Sequence, residues 1–143
     1  MRGATRLRGR TITCDVTNPI AMAKTRYPGL TLRIMTSARP AMGPGKAQLL
    51  EHIEATGSIS AAARAMEMSY RRAWQLVEAM NRDFVEPLVS TETGGKRGGG
   101  ARVTSMGRAV LGQFRALELR ASGAIHTGVG AFDRLLKKPI KKR

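Results

Sequence analysis

Residues 57–77 read Gly57-Ser58-Ile59-Ser60-Ala61-Ala62-Ala63-Arg64-Ala65-Met66-Glu67-Met68-Ser69-Tyr70-Arg71-Arg72-Ala73-Trp74-Gln75-Leu76-Val77. Two helix starts are written into this stretch. Gly57 can close a preceding helix in the left-handed conformation, and Ser58 follows at once as an N-cap for a short alanine-rich helix, Ile59 to Met66. Glu67-Met68-Ser69 makes a tight turn, and Ser69 caps a longer helix that Pro87 brings to its end. In that helix Tyr70, Ala73, Trp74, Val77, Met80 and Phe84 recur at helical spacing, which predicts one buried stripe. Helices that cross closely need small residues at the crossing, and Ala61, Ala62, Ala63 and Ala65 supply them. A short helix, a turn and a longer amphipathic helix in this order predict a helix-turn-helix.

Working upstream, Leu49, Leu50 and Ile53 form one apolar face of a first helix over Lys46 to Ala55, preceded by the breakers Pro40 and Gly43-Pro44-Gly45. Before them, Leu30 to Met35 alternates apolar and polar residues and predicts a half-buried strand. Residues 1–29 show neither helical nor strand periodicity. With Arg2, Arg6, Arg8 and Arg10 and no apolar run, they are expected to form a disordered basic extension rather than a secretion signal.

Working downstream, Leu88 to Thr93 and Ala101 to Thr104 flank Gly94-Gly95-Lys96-Arg97-Gly98-Gly99-Gly100 and predict a hairpin with a flexible basic tip. The tip lacks the spacing of a nucleotide-phosphate loop. Thr104 caps a last helix, expected from Ser105 to Ala121, with the stripe Met106, Val110, Phe114, Leu117 and Ala121. Gly123, Gly128 and Gly130 weaken any continuation of that helix, and Arg134 to Arg143 has six basic residues, no acidic one and Pro139, so residues 123–143 are expected to be a basic tail. The expected fold class is thus mainly α with a small β wing: a winged helix-turn-helix over residues 30–122, with a three-helix core and a C-terminal helix available for dimerisation.

Arg71 and Gln75 are four residues apart on the face opposite Trp74 and Val77, with Arg72 beside them near the helix start. Arginine bonds guanine O6 and N7 in two places at once, and glutamine does the same to adenine. The helix N-terminus adds backbone N–H groups that favour phosphate. On an arbitrary helix these three residues would be an ordinary solvated face; the short helix and turn before them favour DNA reading. Ser58, Ser60, Ser69 and Tyr70 are candidate contacts near the DNA backbone. Lys96, Arg97 and Arg102 are candidate phosphate contacts, which position a protein without reading sequence.

The composition agrees. Twenty-five Lys and Arg face 10 Asp and Glu, a formal net charge of +15 that attracts polyanions. No apolar run approaches the roughly 20 residues of a membrane span, so nucleic acid is the expected partner and a membrane is not. One cysteine, Cys14, excludes an intramolecular disulfide and a multi-cysteine zinc site and fits a reducing cytoplasm. His52 and His126 stand apart from any partner at ligand or triad spacing, so no catalytic residue, metal or cofactor is expected. The aromatic pair Tyr70 and Trp74 and the methionines Met66, Met68 and Met80 are expected in the core.

Three stretches resemble the N-terminal DNA-binding domain of ModE-type, molybdenum-responsive transcriptional regulators. They are Gly57 to Ala63 with Met68-Ser69-Tyr70-Arg71-Arg72-Ala73-Trp74, then Met80-Asn81, then Thr93-Gly94-Gly95-Lys96 through Gly98-Gly99-Gly100-Ala101 with Val103-Thr104 and Gly107. The helix-turn-helix is also similar to that of LysR-type regulators, which lack this glycine-rich wing. The resemblance implies a winged helix, promoter DNA as partner, and a homodimer made by the last helix and first strand, with Met106, Val110, Phe114 and Leu117 as candidate dimer contacts. It further implies transcriptional regulation, with molybdate-transport genes as targets. Full-length family members bind molybdate through C-terminal domains. No counterpart comes after the last helix here, so molybdate binding by this chain is not expected. The rival expectation is a non-specific nucleoid or RNA-associated binder that works through its basic arms; trimming the arms would abolish its affinity.

Overall fold

A computed structural model of the chain describes residues 29–93, 100–138 and 140. The elements run β1 (Ile34–Met35), β2 (Pro40–Met42), α1 (Pro44–Thr56), α2 (Ile59–Ala65), α3 (Tyr70–Asp83), β3 (Val89–Thr91), β4 (Ala101–Val103) and α4 (Ser105–Asp133). The described residues are mostly helical, with two small antiparallel sheets, β1 with β2 and β3 with β4.

Its core is aliphatic. Leu49, Leu50 and Ile53 of α1, Ala62 and Ala63 of α2, Ala73, Val77 and Met80 of α3, Leu88, and Leu111 and Phe114 of α4 close around one centre. The expected caps form. Gly57 takes φ +67° and its N–H donates to the Ile53 carbonyl, closing α1. Ser58 Oγ accepts from the Ala61 N–H, Ser69 Oγ from Arg72 and Thr104 Oγ1 from Gly107. Each cap satisfies one of the N–H groups that a helix start leaves without an intrahelical partner.

Several elements depart from what the sequence predicts. The strand expected over Leu30 to Met35 is reduced to Ile34–Met35, which pairs with Pro40–Met42 across a bulge. Pro40, read as a breaker, is tolerated because a two-stranded ladder makes few demands on backbone donors. Thr36 holds the turn, its Oγ1 donating to the Arg39 carbonyl at 2.8 Å and accepting from the Arg39 N–H at 3.1 Å. Helix α3 stops at Asp83, ahead of Pro87, because Phe84 is already extended (φ −106°, ψ 160°). Helix α4 continues well past Ala121 to Asp133. Each glycine in it costs about 1 kcal/mol relative to alanine and does not forbid the helix; Val129 also gains contacts, since a Cβ on Gly29 would lie 2.8 Å from it and 2.9 Å from Ile140.

Two side chains also sit differently. Tyr70, expected in the buried stripe, is 52% exposed and tilts against Trp74 with ring centroids 6.3 Å apart. Phe114, expected on a dimer face, is 2% exposed inside the chain's own core.

Helices α1 and α4 are joined by an ion-pair triad that the sequence did not suggest. Arg115 Nη2 lies 2.7 Å from Glu51 Oε2, Nε 3.0 Å from Glu51 Oε1, and Nη1 2.6 Å from Glu118 Oε1. Burial works against the Arg115 charge, but the hydrogen bonds to Glu51 and Glu118 outweigh it and raise its pKa. No helix among the described residues is long and apolar enough to cross a membrane.

Candidate nucleic-acid interface

The turn between α2 and α3 decides where α3 begins. The Glu67 N–H donates to the Arg64 carbonyl at 3.1 Å and the Met68 N–H to the Ala63 carbonyl at 3.0 Å. Glu67 itself sits at φ +54°, a left-handed conformation that is unusual for a side chain without a short polar group. Ala62, Ala63 and Ala73 are buried where the two helices meet, Ala61 is half-buried, and Ala65 points to solvent rather than into the crossing.

On α3 this leaves Arg71, Arg72 and Gln75 exposed, with Ala73 and Val77 buried on the other side. Among the described residues these three side chains engage no ion pair. They form one free polar edge at the N-terminal half of the helix. Ser69 is exposed but its hydroxyl already accepts from the Arg72 N–H, and the half-buried Ser58 is occupied in the same way by Ala61. Both serines act first as caps, and Ser60 remains exposed on α2.

The β3–β4 ladder lies across a groove from Tyr70 and Trp74 of α3. Its register pairs Val89 with Val103, Ser90 with Arg102 and Thr91 with Ala101, so Val89, Thr91, Ala101 and Val103 share one face, buried except at Thr91, while Ser90 and Arg102 share the exposed face. The Ala101 N–H donates to the Gly57 carbonyl at 2.9 Å, tying the ladder to the end of α1. Lys96 and Arg97 lie outside the described residues.

Between α2, α3 and the ladder runs a groove of about 330 Å³ lined by Ser58, Ile59, Ser60, Tyr70, Trp74, Thr91, Glu92, Thr93, Gly100 and Ala101. It gathers Ser58, Ser60 and Tyr70 from the expected site; Arg71, Arg72, Gln75 and Arg102 lie outside its lining. Thr91, Glu92 and Thr93 also line it, unexpected from the sequence; alternation from Val89 gives a signal for Thr91 and Thr93 and none for Glu92. Trp74, expected in the core, packs against it half-buried and also forms part of the groove wall.

At the other end of α3, Asp83 is nearly covered, with 3% of its side chain exposed, and receives Arg39 Nε at 3.2 Å and Arg39 Nη2 on its second oxygen. These hydrogen bonds hold its carboxyl below the ordinary range against the opposing effect of burial. Lys46, partly buried, is pushed down by desolvation and donates to the Pro40 carbonyl at 2.7 Å. Among the described residues no three His, Cys, Asp or Glu side chains cluster to hold a metal ion.

No protein-family model matches the chain. Curated relatives do. The molybdenum-pterin-binding protein MopA of Rhodobacter capsulatus is 38% identical over 108 residues, 73% of this chain and 41% of that protein. The molybdenum transport protein ModE of Azotobacter vinelandii is 39% identical over 90 residues, 63% of this chain and 33% of the relative. The DNA-binding transcriptional dual regulator ModE of Escherichia coli K12 is 41% identical over 68 residues, 48% of this chain and 26% of the relative. The chain therefore spans well under half the length of the relatives it matches. Across the stretch they share, this chain is similar to relatives named MopA and ModE.

Proposed function

We propose that the chain is a winged helix-turn-helix module that binds double-stranded DNA in a sequence-specific manner, as a homodimer, to regulate transcription. Helices α1, α2 and α3 are its three-helix core, α3 the helix that enters the major groove, and the β3–β4 hairpin its wing. The observation that carries this reading is the free edge Arg71, Arg72 and Gln75 at the start of α3, exposed while the opposite face is buried. A major groove about 12 Å wide admits a helix, and these side chains have the donors and acceptors that distinguish base edges. Ser60, Tyr70, Thr91 and Thr93 of the groove offer hydroxyls to the phosphate backbone while Glu92 in the same lining opposes it, and Arg102, with Lys96 and Arg97 from the sequence between the two strands, supplies charge. The names of the relatives support DNA as the partner and molybdenum-related genes, such as those of molybdate transport, as targets.

For the homodimer, the support is on α4. Leu117, Ile125 and Phe132, eight and seven residues apart, share one side of the helix and are 42%, 39% and 61% exposed among the described residues. A twofold dimer through that side would present two α3 helices to successive major grooves about 34 Å apart. Met106 and Val110, in the first two turns of the same helix, are half-buried against the core.

Selection of duplexes from a random pool tests the proposal, and a twofold-symmetric consensus is expected. Arg71→Ala or Gln75→Ala then relaxes the consensus at one position, at about 1–3 kcal/mol per lost base contact. Arg102→Ala instead weakens all sequences alike and flattens the slope of log affinity against log salt by about one. Identical behaviour of the two classes, or no consensus at all, refutes the assignment of roles and leaves a charge-driven binder.

A further inference from the structure

Asn81 lies near the end of α3, away from the edge that carries Arg71 and Gln75, and is half-buried. Its Nδ2 donates to the Val89 carbonyl at 2.9 Å, and its Oδ1 accepts from the N–H groups of Leu88 at 2.8 Å and Val89 at 3.0 Å. A side-chain amide has two N–H donors and two acceptor lone pairs. Three of these four capacities are spent on a single dipeptide of the main chain. Leu88 and Val89 are where the chain leaves the core and enters β3. From the far side, the Thr104 hydroxyl donates to the Pro87 carbonyl at 2.7 Å and the Thr104 N–H to the Leu88 carbonyl at 2.9 Å. The root of the hairpin is thus gripped by two helices, and Asn81 is the grip that comes from α3 itself.

From Val89 the strand runs toward Thr93, which with Thr91 lines the groove against Tyr70 and Trp74. Four residues of strand span about 13 Å, so a rotation of about 10° at the root displaces the far end by about 2 Å. That exceeds the range over which a hydrogen bond survives. Backbone contacts to DNA from the hairpin and base contacts from α3 must be made at once, so their relative position matters as much as either surface.

We propose that Asn81 is a positioning residue for DNA binding: its amide locks the hairpin to α3 at the angle at which the hairpin meets phosphate while α3 meets the bases. This rests on the reading given under Proposed function. The test uses the full chain, a duplex that the wild-type protein recovers from a random-sequence pool, and an unselected duplex of equal length, titrated over a salt series. Asn81→Ala and Asn81→Asp are compared with wild type and with Arg102→Ala, each at a temperature where circular dichroism shows it folded. Asn81→Asp keeps both acceptor bonds, loses the bond to the Val89 carbonyl and adds one negative charge, so it carries the measurement, if Asn81→Ala melts too low, by comparison with Val85→Asp, which adds the same charge at an exposed position.

The expected result is an affinity about tenfold lower, with a salt slope smaller by about one as in Arg102→Ala, and an unchanged ratio between selected and unselected duplex. A salt slope that stays at the wild-type value in both Asn81 variants, while Arg102→Ala lowers it, overturns the proposal and leaves Asn81 a role in folding alone. If Arg102→Ala and the double variant Lys96→Ala with Arg97→Ala both also leave the slope intact, the hairpin does not touch phosphate, and the reading on which the proposal rests falls with it.

Discussion

At single positions the structure separates residues of equal chemistry by their surroundings. A Cβ on Gly107, in the first turn of α4, would lie 2.3 Å from the Leu88 carbonyl oxygen and 2.7 Å from Val103 Cγ1, whereas one on Gly45 would meet nothing within 4 Å. The Gly107 clash is with main chain, which cannot turn aside as a flexible side chain can. Gly107→Ala is therefore expected to lose about 1–3 kcal/mol through overpacking, more than the roughly 1 kcal/mol that alanine gains in a helix. Gly45→Ala should be neutral or slightly stabilising, and urea unfolding of the two variants checks the contrast. Asp83 makes a second case. Its carboxyl is held low mainly by the Arg39 hydrogen bonds, so the pairing contributes stability above the unfolded carboxylate pKa of about 3.9. That contribution is lost as pH falls through the lower folded value. Asp83→Asn should melt below wild type at neutral pH, and the gap should close in acid; a gap that persists below about pH 2 would assign the effect to packing instead.

Among the elements, the contact between α1 and α4 is set by the Glu51–Arg115–Glu118 triad, in which each side chain is no more than 5% exposed. Three charges withdrawn from water recover their desolvation only through good mutual geometry, and the bidentate contact of Arg115 with Glu51 provides it. Arg115→Met alone leaves two carboxylates buried without their cation and is expected to cost about 3–5 kcal/mol. Replacing all three together, Glu51→Leu with Arg115→Met and Glu118→Leu, should recover most of that loss or exceed wild type. Thermal melts of the single and triple variants decide it, and a triple variant as unstable as the single one would show that the triad does more than satisfy itself.

Over the whole molecule, α4 is about 43 Å long at 1.5 Å per residue, and its distal half is mostly exposed. Phe132, 61% exposed, and Leu117 lie on the side proposed for a second copy, while Phe114 faces the core. Leu117→Arg combined with Phe132→Asp is expected to yield a folded monomer by light scattering, with affinity for a twofold-symmetric duplex falling by an order of magnitude or more. Phe114→Ala should instead lower the melting point by the equivalent of about 3–5 kcal/mol. If the double variant remains dimeric, the copies meet elsewhere.

Local features were legible in the chain alone. The caps at Ser58, Ser69 and Thr104, the left-handed Gly57, the three core helices and the polar edge at Arg71, Arg72 and Gln75 all depend on residues close together in the chain, and the hairpin on two strand-like runs that flank one glycine-rich turn. Tertiary packing decided the rest. It put Tyr70 outside and Phe114 inside although each belonged to a helical stripe, because periodicity marks a face without saying what covers it. It also brought Asn81 to Leu88 and Val89, Arg115 to Glu51 and Arg39 to Asp83. Side chains 7 to 64 positions apart met there, and whether such groups meet depends on how whole elements pack, which no local spacing encodes.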